Sequence, residues 1–230
     1  MPQLNDTVLR LNSVSKVFES TEVPVQALHD INVEVAKGDF VAITGPSGSG
    51  KSTLLHLIGG LDRPTSGTIV LDGVDLTRLD ADSVAVLRRR KIGFIHQFFN
   101  LLDFLNAEDN VALPLWLEGV DRVEASRRAW SMLNLVGLGE RRTHYPPQLS
   151  GGEQQRVAIA RAVVTQPAII LADEPVGNLD IETGDQIIEL LRAAMRDQTH
   201  ATLLVTHDRR HTRVATRTLV LRDGRIRESE

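Results

Sequence analysis

Hydrophobic and polar positions follow two different periods along this chain. From Thr7 to Gly73 the pattern is strand-like: apolar and polar residues alternate through Val33-Glu34-Val35 and Thr68-Ile69-Val70-Leu71, and the second run stops at the turn signal Asp72-Gly73. Phe40-Val41-Ala42-Ile43 is apolar throughout, as is Ala168-Ile169-Ile170-Leu171-Ala172, which reads as a parallel strand buried on both faces. Asp80 to Lys91 predicts a helix, acidic at its start and basic at Arg88-Arg89-Arg90-Lys91, in the sense that suits the helix dipole. Those four positive charges are expected to form a solvated helix end rather than a nucleic-acid site. From Asn100 to about Tyr145 the spacing becomes helical; Ala125, Ala129, Met132 and Leu133 share one face, and Gly137 and Gly139 end that segment. The helical stretch interrupts two strand-bearing halves, which predicts an insertion rather than tandem domains. Internal repeats, low-complexity tracts and linkers are not evident.

The chemistry sits where these runs end. After the first apolar strand comes Gly45-Pro46-Ser47-Gly48-Ser49-Gly50-Lys51-Ser52, continued by a helix from Ser52 and Thr53 to Ile58. This is the phosphate-binding loop pattern in its strand-loop-helix setting, in which glycines let backbone N–H groups wrap phosphates. Lys51 would neutralise the β and γ charge, and Ser52 would hold Mg²⁺. The second apolar run ends in Asp173-Glu174-Pro175. Asp173 is placed to bind Mg²⁺ through water, and Glu174 to orient or deprotonate an attacking water.

Leu149-Ser150-Gly151-Gly152-Glu153-Gln154-Gln155-Arg156 adds a second helix start. Ser150 and Glu153 form a capping box, while a glycine pair in the first turn costs about 1 kcal/mol per glycine against alanine. Exposed N–H groups, bare glycines and the positive dipole end suit a phosphate brought close to the backbone. His207 follows the apolar run Leu203-Leu204-Val205, at the strand end where ligands of doubly wound sheets sit; the other six histidines lack metal-ligand spacing.

Composition narrows the setting. The 230 residues carry a formal net charge of −4 and contain no cysteine, so neither a broad basic surface for nucleic acid nor a disulfide framework is present, and a reducing compartment fits. Signal-peptide character is absent from Met1 to Lys16, and no stretch of about 20 apolar residues occurs, so any path across a bilayer is expected from another polypeptide.

Taken together, these motifs resemble the ATP-binding subunit of ABC transporters over nearly the whole chain. The resemblance implies an α/β fold: a P-loop NTPase (RecA-like) core with a mostly parallel sheet, an N-terminal antiparallel β subdomain and an inserted α-helical subdomain. The core with its β subdomain would take approximately residues 1–95 and 155–230, and the helical subdomain approximately 96–154. It also implies ATP and Mg²⁺ as ligands, with ATP hydrolysed. Gln97 matches the glutamine that contacts Mg²⁺ and water and senses the membrane partner. Asn178-Leu179-Asp180 matches the loop crossing between two ATPase subunits, His207 the histidine on the γ-phosphate, and Phe18 the aromatic that stacks on adenine. Val176 stands where threonine is usual.

Phe98-Phe99-Asn100-Leu101-Leu102 reads either as a small subdomain core or as a groove receiving a short helix of a membrane permease. Together with Asp109-Asn110-Val111-Ala112-Leu113-Pro114-Leu115 and Gly177-Asn178-Leu179-Asp180, it is similar to the lipoprotein-release and macrolide-export group. The resemblance implies a homodimer with two nucleotides between the copies, each capped by the other's Ser150-Gly151-Gly152 turn, peripheral on the cytoplasmic face of the inner membrane. Two alternatives share the motifs: an ABC ATPase energising a cell-division or signalling complex in the membrane, and a soluble DNA-associated one. The latter would normally carry a coiled coil, zinc module or basic face.

Overall fold

The computed structural model describes residues 6–19, 23–194, 200–208 and 210–228. The chain opens with β1 (Thr7–Phe18) and β2 (Val25–Ala36), then β3 (Phe40–Thr44) and α1 (Lys51–Ile58). β4 (Ser66–Leu71), β5 (Val74–Asp75), α2 (Ala81–Lys91) and β6 (Ile92–Ile95) follow. Next come α3 (Ala107–Leu117), α4 (Arg122–Leu135) and α5 (Gly151–Val163), then β7 (Ile169–Asp173) and α6 (Ile181–Ala194). β8 (Ala201–Val205), β9 (Arg217–Arg222) and β10 (Arg225–Glu228) end the described chain.

Two sheets result. The first is antiparallel, in the order β2-β1-β4-β5. The second has the order β10-β9-β3-β8-β7-β6 and is parallel except for the β9–β10 hairpin. Its central strands are apolar on both faces apart from Thr44, Asp173 and Thr202, because the two faces feed two different cores. Ile169 and Leu171 of β7, with Leu203 and Val205 of β8, join a core shared with α1 and the antiparallel sheet. Ile170 and Ala172, with Leu204, join a second core shared with α3, α4, α5 and α6. A side-chain period of two on a sheet covered on both faces produces this division.

The segment between β6 and β7 holds α3, α4 and α5, with Ala125, Ala129 and Leu133 of α4 buried against its neighbours. α5 is continuous through residue 155, so one helix joins the inserted segment to the sheet that follows. α2 begins at the N-cap Asp80, whose carboxylate accepts from the Ser83 N–H. Its basic end is solvated at Arg90 and Lys91, as expected, and is paired as well. Arg89 and Arg90 both pair with Glu118 just beyond α3, Arg88 donates to the Gly60 carbonyl, and Lys91 pairs with Asp72. The physical reason is tertiary: one carboxylate and one orphan carbonyl lie within reach, so the arginines tie α2 to its surroundings.

Candidate functional site

Parallel pairing aligns the chemically active segments. Ile43 of β3 and Asp173 of β7 both register with Val205 of β8, and Ile95 of β6 registers with Ala172. The residues that follow these strands therefore emerge along one carboxyl edge: the loop from Gly45, then Thr206-His207, then Glu174, then His96-Gln97. That edge is where open α/β sheets bind ligands.

The Gly45–Gly50 loop needs its glycines for two different reasons. A Cβ on Gly45 would lie 2.0 Å from the Leu221 carbonyl oxygen, and one on Gly50 would lie 2.6 Å from that of Ala27. Gly48 has open space but a φ of 76°, which favours glycine. Gly50 is also the N-cap of α1 and supplies no side-chain cap, so the first N–H groups of the helix are left for a ligand. Lys51 is nearly buried; its Nζ donates to the carbonyls of Gly45 at 3.0 Å and Pro46 at 2.9 Å. Ser49 Oγ is buried without a partner. Ser47, Gly48, Gly50, Lys51, Ser52 and Thr53 line a cleft of about 510 Å³ whose far wall includes Glu174 and His207.

Glu174 and His207 meet directly, with Nδ1 3.2 Å from Oε2. Glu174 has a φ of 45°, in the left-handed region that a residue with a Cβ seldom occupies, and its N–H donates to the Val205 carbonyl. Asp173 ends β7 at half exposure. The carbonyl of Gln97 accepts from Asn178 Nδ2 at 3.2 Å, which ties the loop after β6 to the loop after Glu174. Glu174 and His207 also border a second cavity, of about 150 Å³, that contains Asp180. Asp180 caps α6: its Oδ1 accepts from the Thr183 N–H at 3.0 Å, and that bond leads the causes lowering its pKa.

The second helix start forms as expected. Ser150 Oγ accepts from the Glu153 N–H at 3.3 Å, Glu153 Oε2 accepts from the Ser150 N–H at 2.8 Å, and the latter bond is the main cause lowering the Glu153 pKa. Part of the close approach that its glycines permit is internal. A Cβ on Gly152 would lie 2.6 Å from Thr183 Cγ2, and one on Gly151 would lie 3.3 Å from Leu179. Ser150, Gly151, Gly152 and Glu153 are not among the residues lining the Lys51 cleft.

Other assignments change with the structure in view. Phe18 is half-exposed beneath the Lys16 ammonium, 4.9 Å from its ring centroid, and does not line the cleft. Val25, which registers with Phe18, lines it together with Gln26 and Ala27 of β2 and with Asp223 and Gly224 of the β9–β10 turn. Sequence reasoning missed these five, because their place depends on β2 and a hairpin almost two hundred residues away meeting at the loop; the His29 N–H donates to the Gly224 carbonyl. The Phe98–Leu102 cluster divides: Phe98 is 70% exposed, whereas Leu101 packs against the second core. Beside it, Phe94, Leu113, Pro114 and Leu117 line a groove of about 550 Å³. His96 stacks on Phe94, and burial, then the Arg161 charge, lowers its pKa. Among the described residues, no group of three or more His, Cys, Asp or Glu side chains could hold a metal.

Comparison with known proteins gives a consistent result. The sequence family described as ABC transporter matches residues 28–177. The lipoprotein-releasing system ATP-binding protein LolD of Bordetella avium is 48% identical over 95% of both chains. The macrolide export ATP-binding/permease protein MacB of Brucella melitensis is 46% identical over 95% of this chain and 34% of its own length. Among solved structures, the dimeric post-hydrolysis state of the ATP-binding cassette MJ0796, bound to ADP and Pi, superposes with a TM-score of 0.89 at 42% identity, covering 96% of this chain and 98% of that one.

Proposed function

Because the chain belongs to the ABC transporter family, we propose that it is the ATP-hydrolysing subunit of a membrane transporter and works by ATP-dependent pairing of two copies. The single observation that carries this reading is that the two phosphate-suited helix starts serve different surfaces. The loop around Lys51 forms one cleft, and the Ser150–Gly152 turn lies outside its lining. One chain thus supplies a cradle and, elsewhere, a cap. Two copies arranged reciprocally would complete both sites, and the dimeric cassette bound to ADP and Pi supports that arrangement.

Within each cleft the chain's residues divide the work. The free N–H groups at the start of α1 and the Lys51 ammonium bind the phosphates; the latter would exchange its two loop carbonyls for phosphate oxygens. Ser52 lines the cleft, and Asp173 at the end of β7 and Gln97 after β6 follow on the same sheet edge; these three would offer the protein's oxygen donors to the ion. Mg²⁺ bound there would neutralise charge on the β and γ oxygens. Glu174 orients and deprotonates the attacking water, and His207, already in contact with it, holds the γ-phosphate side of the reaction. Loss of the γ-phosphate then removes the charge that both copies grip, and the pair opens.

The relatives named for lipoprotein release and macrolide export support a permease partner of that kind. Exposed Phe98 and the groove beside it, in which Leu113, Pro114 and Leu117 lie next to Arg88, Arg89 and Arg161, offer the docking surface, which would place the subunit at the cytoplasmic face of the inner membrane. No helix among the described residues is long and apolar enough to cross a membrane. Replacing Glu174 with glutamine tests the assignment. ATP turnover should fall at least about 100-fold while nucleotide binding persists. Undiminished phosphate release by that variant would remove Glu174 from its role.

A further inference from the structure

α5 carries a fully buried glutamine that the reactions above do not use. Gln155 lies one turn beyond Gly151, and its Nε2 donates to the Pro175 carbonyl at 2.6 Å. Its Oε1 is buried as well and has no partner. A buried amide with an unpaired oxygen is costly, and the one bond that offsets this cost is the bond to the Pro175 carbonyl. Packing therefore explains the residue poorly, and what distinguishes it is the carbonyl it holds.

Pro175 directly follows Glu174, whose φ of 45° is uncommon for any residue with a Cβ. Such a conformation persists only where its surroundings over-determine it. Three bonds do so here. The Glu174 N–H donates to Val205, the Gly177 N–H donates to the Glu174 carbonyl, each at 3.0 Å, and Gln155 grips the next carbonyl. The first two come from β8 and from the turn itself; the third comes from the helix whose start is the Ser150–Gly152 turn. Farther along α5, the largely buried Arg161 guanidinium donates to the carbonyls of Phe99 at 2.9 Å and Asn100 at 2.6 Å, so the helix is fixed at both ends of its length.

We propose that Gln155 is a positioning residue, which sets the Glu174 carboxylate through Pro175 and makes its placement follow the Ser150–Gly152 turn. This rests on the reading of Glu174 as the hydrolytic carboxylate. The turn caps a phosphate held by a second copy, whereas Glu174 faces its own chain's Lys51 cleft. Gln155 therefore lets engagement at one nucleotide adjust the carboxylate at the other.

Steady-state ATPase kinetics of the full chain and of Gln155→Met and Gln155→Glu, with thermal unfolding and titration of a fluorescent ATP analogue on the same samples, decide the matter. Methionine removes the donor at similar length; glutamate can donate only when protonated, the form that burial favours. Gln155→Met relieves the unpaired Oε1 but leaves the buried Pro175 carbonyl without its donor; it should still fold cooperatively, bind nucleotide within about twofold, and lose about tenfold to a hundredfold in kcat. The kcat of Gln155→Glu relative to wild type should rise as pH falls from about 8 to about 6, while the Gln155→Met ratio stays flat. Wild-type kcat in folded Gln155→Met, or a Gln155→Glu deficit independent of pH, overturns the proposal. If Gln155→Met fails to fold, the pH comparison decides alone. A wild-type chain that binds nucleotide without hydrolysing it overturns the hydrolytic reading of Glu174, and the positioning role with it.

Discussion

Single residues at this site are held by bonds that do little for packing and much for placement. Lys51 is buried on its own loop carbonyls, and Glu174 keeps a left-handed backbone beside His207. Asp208, just beyond His207, is locked in a similar way: the Arg210 guanidinium, then the Arg210 backbone N–H, lowers its pKa from 3.8 to about 2. A carboxylate whose pKa is depressed on folding stabilises the native state above its unfolded value and loses that contribution as pH falls through the folded one. The stability difference between wild type and Asp208→Asn should therefore be constant above pH 3.8 and shrink as pH approaches about 2. Denaturant melts across that range check it; a difference independent of pH would show that the ion pair contributes nothing on folding.

At the scale of elements, short polar devices fix where apolar helices begin and how loops are displayed. Asn110 of α3 is fully buried, yet its side chain accepts from the Leu102 N–H and donates to the carbonyls of Leu102, Leu105 and Asn106. It closes the loop that follows exposed Phe98. Asn110→Leu should cost roughly 1–3 kcal/mol by leaving those backbone groups unpaired, a loss that urea titration would register as a lower midpoint at unchanged slope. The capping box at Ser150 and Glu153 and the α4 face were legible in the sequence because each depends on residues three or four apart. The fate of Arg89 and Arg90 was not, since Glu118 lies on another element. The wall of the nucleotide cleft was hidden for the same reason: Ala27 and Gly224 meet only after two sheets assemble. Phe18 registers with Val25, which lines the cleft, so its ring stands beside that wall and under the Lys16 ammonium.

For the whole molecule, the parallel sheet separates two cores and gathers the reactive segments at one edge. α5 runs from the glycine turn past Pro175 to the Phe99–Asn100 loop, so one rigid element touches the proposed dimer contact, the residue that follows Glu174 and the segment beside the docking groove. A closing motion of two copies could thereby be felt where a permease docks. In this arrangement the γ-phosphate joins two chains, each gripping it from a different side. Light scattering of the Glu174→Gln variant measures this most directly, with and without saturating Mg-ATP. Mg-ATP should double the mass of the particle, and ADP should leave it unchanged. A particle that stays single in Mg-ATP, both alone and beside its membrane partner, would contradict it.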